Sequence, residues 1–126
     1  MPERKRILIV DDEDDIREVA QVSLELVGQY EVVTASSGRD GLARARTIQP
    51  DAILLDVMMP DLDGPSTLAQ LRADPVTRHI PVVFLTAKTQ QADRARLAQL
   101  GAAGILVKPF DPLKLPAEIA AALRWN

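Results

Sequence analysis

Polar side chains follow four short apolar runs of the chain, and together they could carry out phosphoryl chemistry. The acid pair Asp11 and Asp12 ends the first run, Asp56 ends the second, Thr86 the third and Lys108 the fourth. If these runs are parallel strands of one sheet, their carboxyl ends meet at one rim. Carboxylates suit hard divalent cations, while a hydroxyl and an ammonium can donate to phosphoryl oxygens. The pattern therefore predicts one site that binds a cation and a phosphoryl group.

The expected chemistry at this rim is acceptance of a phosphoryl group by a carboxylate. Three crowded carboxylates repel one another, and Mg²⁺ or Mn²⁺ would relieve that repulsion. Zinc is disfavoured, because the chain has no Cys and its only His is His79 in a distant loop. A carboxylate can itself be the nucleophile that forms an aspartyl phosphate. We expect Asp56 in that role, Asp11 and Asp12 on the metal, and Thr86 and Lys108 on the transferred group.

The elements that must position these residues alternate between strand and helix. We predict strands at 6–10, 31–35, 52–55, 82–85 and 104–107, and helices at 14–27, 39–48, 65–73, 91–100 and 115–124. This alternation predicts an α/β fold, a doubly wound five-stranded parallel sheet between two helical layers. In the strand order 2-1-3-4-5, strand one lies beside strand three, so the acid pair neighbours Asp56. The helix at 14–27 is expected to bury Ile16, Val19, Ala20, Ser23, Leu24 and Val27.

Composition narrows the class of protein. The chain has 126 residues, of which 47% are hydrophobic and 26% charged, and it is expected to form a single domain over 1–126. Its net charge is −3 with scattered Lys and Arg, which argues against nucleic-acid binding. No apolar stretch reaches the roughly 20 residues of a membrane span. Without Cys the chain has no disulfide framework, and cytoplasmic residence is expected.

The acids that follow the pair Asp11-Asp12 have a purely structural interpretation. Acids such as Glu13, Asp14 and Asp15 stabilise the first turn of a helix, and we interpret these three in that way.

A Mg²⁺-dependent phosphohydrolase is one rival function, but it needs a second acid near the nucleophile and a substrate-covering cap. Met58 and the short chain argue against both. A binding module that has lost phosphorylation is another rival, and the intact set of polar residues argues against it.

Several motifs, in order and at matching spacing, resemble the receiver domains of two-component response regulators of the chemotaxis-regulator type. The resemblance spans essentially the whole chain and rests on Asp11-Asp12, Asp56, Pro60, Gly64, Thr86-Ala87 and Lys108-Pro109-Phe110. It implies a flavodoxin-like fold. It also implies a signalling module that catalyses only its own phosphorylation and dephosphorylation.

The resemblance further implies roles for individual residues. A histidine kinase or phosphotransfer protein would pass its phosphoryl group to Asp56. The metal would bind Asp12, Asp56 and the backbone carbonyl of Met58, with Asp11 acting mostly through water. The peptide bond before Pro109 would be cis.

The residues that would transmit and time the signal depart from the common family pattern. Family members often carry an aromatic residue where this chain has Ile105, so we expect the switch to use Thr86 and the loop from Ala87 to Gln91. Met58 and Lys88 occupy the positions that tune hydrolysis. The resemblance also implies an output face, the surface that binds a partner after phosphorylation. This face is formed by the fourth helix, the fifth strand and the last helix, with Leu97 and Ile105 as candidate residues, and the sequence does not identify the partner.

Overall fold

A computed structural model describes residues 4–87 and 91–125 of the chain. Five strands form one parallel sheet in the order β2-β1-β3-β4-β5, as predicted. The strands are β1 Arg6–Val10, β2 Glu31–Ala35, β3 Ala52–Asp56, β4 Val82–Thr86 and β5 Gly104–Val107. The helices are α1 Asp14–Val22, α2 Gly38–Ile48, α3 Gly64–Ala73, α4 Gln91–Ala98 and α5 Leu115–Leu123.

Helices cover both faces of the sheet. Every residue of β3 and β4 is buried, which is the mark of a parallel sheet enclosed on both sides. One core packs α2, α3 and α4 against alternate strand residues that include Leu8, Ile53 and Phe84. The other packs α1 and α5 against the intervening residues, including Ile9 and Leu54. The sandwich therefore has three layers, as the alternation of elements predicts.

Strands β3 and β4 each extend one residue beyond the predicted end, and the extra residues are Asp56 and Thr86. Asp56 pairs with Leu85 of β4, and Thr86 pairs with Val107 of β5. Both functional candidates are thus held inside the hydrogen-bonded ladder. Their side chains project from a rigid frame, which favours a fixed geometry at the rim.

The helix predicted at 14–27 changes character in its last turn. Residues Ser23–Val27 form a π-helical turn, in which the Gly28 N–H donates to the Ser23 carbonyl at 3.2 Å. Ala20, Ser23 and Leu24 are buried as predicted, but Val19 and Val27 are exposed by 43% and 47%. The prediction was wrong for Val27 because the wider turn rotates it away from the core. Val19 lies at the margin of the apolar stripe rather than inside it.

Among residues 4–87 and 91–125, no helix has the length and apolar character needed to cross a bilayer.

Candidate functional site

The predicted rim residues come together at the carboxyl end of the sheet. The ligand atoms of Asp11, Asp12 and Asp56 lie within 4.8 Å of one another. Asp11 and Asp56 are almost completely buried, and Asp12 is half-buried. They meet because β1 lies directly beside β3, where Val10 pairs with Leu55. The sheet order therefore creates the cluster.

Two carboxylate oxygens of this cluster are buried with neither a hydrogen-bond donor nor an ion-pair partner in the described part of the chain. They are Oδ1 of Asp12 and Oδ2 of Asp56. Leaving such an oxygen unsatisfied is costly, and a cation is the natural compensation for several together. These residues are all hard oxygen donors, so the set fits Mg²⁺ or Mn²⁺ and does not fit a soft-ligand metal.

Lys108 supplies the positive charge of the site. Its Nζ lies 3.1 Å from Oδ2 of Asp11, 3.2 Å from Oδ1 of Asp56 and 3.0 Å from Oε1 of Glu13. Its backbone N–H donates to the Thr86 carbonyl at 2.8 Å, which joins the ends of β4 and β5. Burial alone would lower the pKa of Lys108, but the hydrogen bond to Glu13 and the charges of Asp11 and Asp56 raise it overall. The lysine is therefore a permanent cation.

The pKa of the Asp56 carboxyl is raised. Burial and then the neighbouring charge of Asp11 raise the pKa of Asp56 to about 7, although Lys108 opposes the shift. A cation among the three carboxylates would favour the ionised form. The ionisation of Asp56 therefore depends on what occupies the site.

The loop after β3 folds back tightly against Asp56. The Gly64 N–H donates to the Val57 carbonyl at 2.9 Å, and a Cβ at Gly64 would lie only 2.5 Å from the Asp56 carbonyl oxygen. Asp63 then caps α3 by accepting the Ser66 N–H at 2.8 Å. Glycine is required here by this close approach of two backbone segments.

Glu13 is the site residue that the sequence interpretation missed. It occupies the N-cap position of α1, yet its side chain makes no capping hydrogen bond. It contacts Lys108 instead. The interpretation of Glu13 as a solvated acid agrees with its exposure of 59%, but it missed the hydrogen bond to Lys108, 95 residues away. Nothing in the local pattern of acids could have shown this.

The remaining predicted residues lie around the rim. Met58 lies in the loop after β3 with an exposed side chain, and Ala87 is exposed after β4. Thr86 is fully buried, and Ile105 is partly buried against the core on the α4 side. The prediction of Leu97 on the output face was wrong, because this side chain is only 5% exposed and packs in the core. The Lys108–Pro109 peptide bond is cis. Lys88 and the centre of the predicted 87–91 switch loop lie outside the described residues.

The sequence of this chain matches a known protein family. The response regulator receiver domain family matches residues 7–120, which include every rim residue described above. The chain belongs to this family. Such domains are the signalling modules of two-component systems.

Individual relatives agree with that assignment of the receiver domain. This chain is 43% identical over 120 residues to the alkaline phosphatase synthesis transcriptional regulatory protein PhoP of Bacillus subtilis. The match covers 95% of this chain and 49% of PhoP. This chain is 44% identical over 123 residues to the response regulator PleD of Caulobacter vibrioides, covering 96% of this chain and 26% of PleD. The chain thus spans half or less of these curated relatives.

A solved structure shows the same fold over nearly its whole length. The chemotaxis response regulator CheY4 of Vibrio cholerae superposes with a TM-score of 0.87 at 33% identity. The match covers 95% of this chain and 99% of CheY4. The two chains therefore share one fold over 95% of this chain.

Proposed function

We propose that this receiver domain accepts a phosphoryl group on Asp56 from the phosphohistidine of a histidine kinase or phosphotransfer protein. The observation that carries the proposal is the position of the Asp56 carboxylate. One of its oxygens lies 3.2 Å from Lys108, and the other is buried without a donor in the described structure. A carboxylate held in this way has a free lone pair at a fixed position, which a phosphoryl acceptor needs.

Asp11, Asp12 and Asp56 would hold Mg²⁺ or Mn²⁺, together with the backbone carbonyl of Met58. The bound cation supplies charge neutralisation for the carboxylates and for the incoming phosphoryl oxygens. Its presence would also keep Asp56 ionised, although burial raises the pKa of that residue to about 7.

In the transfer step, an oxygen of the Asp56 carboxylate forms a bond to phosphorus as the bond between phosphorus and the donor imidazole breaks. The electron pair of the broken bond stays with the imidazole nitrogen. Lys108 donates an N–H to a phosphoryl oxygen without giving up its proton, and the Thr86 hydroxyl donates to another. Asp11 and Asp12 take no part in bond making. Both would serve the cation site, and Asp11 also pairs with Lys108.

The donor protein would lie on the apolar surface beside the rim. Val19, Val22 and Leu26 of the first helical segment lie with Leu113 on one exposed patch. The buried Ser23 hydroxyl ties this segment to the turn after β5 through the Pro112 carbonyl. Because α1 and this turn both begin at the rim, a protein seated there could reach the buried Asp56.

The output surface would be the face formed by α4, β5 and α5. Thr86 connects the site to this face, because it pairs with Val107 and its carbonyl binds the Lys108 N–H. Ile105 is a β-branched residue with a stiff χ1 and lacks the reach of an aromatic ring. The signal would therefore depend on Thr86 and the chain after Ala87 more than on reorientation of residue 105. Cytoplasmic residence remains a prediction.

Phosphorylation from a small donor tests the assignment. The wild-type chain, incubated with acetyl phosphate and Mg²⁺, should gain the mass of one phosphoryl group, and EDTA should prevent the gain. Asp56→Asn should gain nothing. Labelling of Asp56→Asn, or labelling of the wild type that ignores EDTA, would show that another residue or another chemistry is at work.

A further inference from the structure

We propose that Glu13 is a positioning residue for the phosphoryl-transfer reaction, holding the amino group of Lys108 over the rim while the other partners of Lys108 change. This inference rests on the proposed function of Asp56 and adds to it a residue that acts through Lys108. The contact itself is direct, with Oε1 of Glu13 3.0 Å from Nζ of Lys108.

The backbone of Glu13 is fixed on both sides. Its N–H donates to Oδ1 of Asp11 at 2.9 Å, and its carbonyl accepts the Arg17 N–H at 3.0 Å. The side chain, with no capping hydrogen bond to make, is aimed at Lys108 instead of at the helix. Glu13 is therefore a well-anchored acceptor, although its side chain is 59% exposed.

Glu13 differs from the other two partners of Lys108 in what happens to it during the reaction. An ammonium has three N–H donors, and here three carboxylates surround it. Asp56 becomes an acyl phosphate, and Asp11 lies in the proposed cation cluster. Glu13 does neither, so it is the carboxylate that can keep its hydrogen bond to Lys108 from the free to the phosphorylated state.

This hydrogen bond matters because lysine has a long flexible stem. With Glu13 in place, one N–H is occupied, and the others are directed toward the site, where a phosphoryl oxygen can replace the Asp56 oxygen. Without Glu13, the free ammonium can turn toward solvent or remain on Asp11. A small displacement of a group that stabilises the transition state reduces the rate substantially.

The test compares variants in phosphorylation by acetyl phosphate, in which an Asp56 oxygen bonds to phosphorus and acetate leaves with the electron pair of the broken bond. Glu13→Ala should react about tenfold more slowly than the wild type. Glu13→Gln, which keeps an acceptor oxygen but not the charge, should restore the rate to within about threefold. Asp15→Asn is the matched control, because it removes a charge from the same exposed helical turn. It should behave like the wild type.

Two further measurements separate positioning from a merely structural effect. In a Lys108→Met background, the additional Glu13→Ala change should have no further effect on the rate, because Glu13 acts through Lys108. In the unphosphorylated wild type, the side-chain ammonium signal of Lys108 should be observable by nuclear magnetic resonance, and Glu13→Ala should broaden it by faster exchange with solvent.

The possible results are distinct. A wild type that takes no phosphoryl group contradicts the proposed function itself. A labelled wild type with an equally fast Glu13→Ala contradicts only the role of Glu13. Equal slowing by Gln and Ala would overturn positioning in favour of simple charge, and so would slowing by Asp15→Asn. An undiminished effect of Glu13→Ala in the Lys108→Met background would likewise overturn the proposal.

Discussion

Nζ of Lys108 lies 3.2 Å from Oδ1 of Asp56, although β4 lies between β3, which ends at Asp56, and β5, which precedes Lys108. The lysine side chain reaches past the end of β4, where its own backbone N–H is bonded to the Thr86 carbonyl. The ends of three strands are thereby connected by one residue. Lys108 therefore contacts both the acceptor carboxylate and the end of β4.

Asp56 should make the metal-free protein less stable as the pH rises. Its pKa is raised to about 7 in the folded state from 3.8, so between these values the folded state holds a proton that the unfolded state has lost. The stability contributed by this group is present below pH 3.8 and is lost as the pH rises to about 7. In EDTA at pH 8, Asp56→Asn should therefore be more stable than the wild type by about 1–2 kcal/mol.

Chemical denaturation of both proteins across this pH range measures the difference. The gap should close toward pH 4, and Mg²⁺ at pH 8 should stabilise the wild type but not Asp56→Asn. A gap that is constant with pH would mean that the ionisation of Asp56 is not its cause.

Gly64→Ala should disturb both the fold and the acceptor. The new Cβ would lie 2.5 Å from the Asp56 carbonyl oxygen and 2.8 Å from the Val57 Cα. Because both atoms belong to the backbone, one of the two backbone segments must move. We expect a loss of about 1–3 kcal/mol in the free energy of unfolding, together with slower phosphorylation by acetyl phosphate.

Gly101→Ala is the control for this substitution. Gly101 has a positive φ of 90° but nothing within 4 Å of an added Cβ, so the change strains the backbone without crowding the site. Its cost should be about 1 kcal/mol, with no effect on the phosphorylation rate. Equal rate losses in the two variants would argue that crowding at Asp56 is not responsible.

Leu113→Asp should separate docking of the donor protein from chemistry. Leu113 is 74% exposed on the proposed donor surface, so a charge there should leave folding intact. Transfer from a histidine kinase that phosphorylates the wild type should fall about tenfold, while the rate with acetyl phosphate stays the same. Val76→Asp, at an exposed apolar residue outside this surface, should change neither rate. Parallel losses with both donors would contradict the docking assignment.

Thr86→Ala should weaken transmission of the signal to β5. With saturating beryllofluoride as a phosphoryl mimic, amide exchange in Gly104–Val107 should change in the wild type and remain unchanged in Thr86→Ala. Thr77→Ala is a suitable control, because Thr77 is also buried and donates to the Leu71 carbonyl at 2.8 Å. It should lose stability but keep the response. A full response in Thr86→Ala would show that the signal takes another route.

Much of the fold and of the acceptor site could be predicted from the sequence alone, because the signals involved are local. Continuous apolar runs predict buried parallel strands, and a polar residue directly after such a run lies at the rim. This predicted that Asp11, Asp12, Asp56, Thr86 and Lys108 lie at or just beyond the carboxyl ends of the strands, and the structure has them there. Glycine and proline at the helix ends likewise indicated the helix limits to within a few residues.

Tertiary structure alone decided what depends on contacts between distant segments. Whether Glu13 caps its own helix or binds Lys108 depends on where β5 places the lysine, and the periodicity of α1 carries no information about that. Val27 turns outward because the chain adopts a π-helical turn whose buried Ser23 is bonded to Pro112. The raised pKa of Asp56 arises from burial and from the charges of residues brought together by strand order. Side-chain direction and electrostatics depend on distances in space, and spacing along the chain determines those distances only where the chain is locally regular.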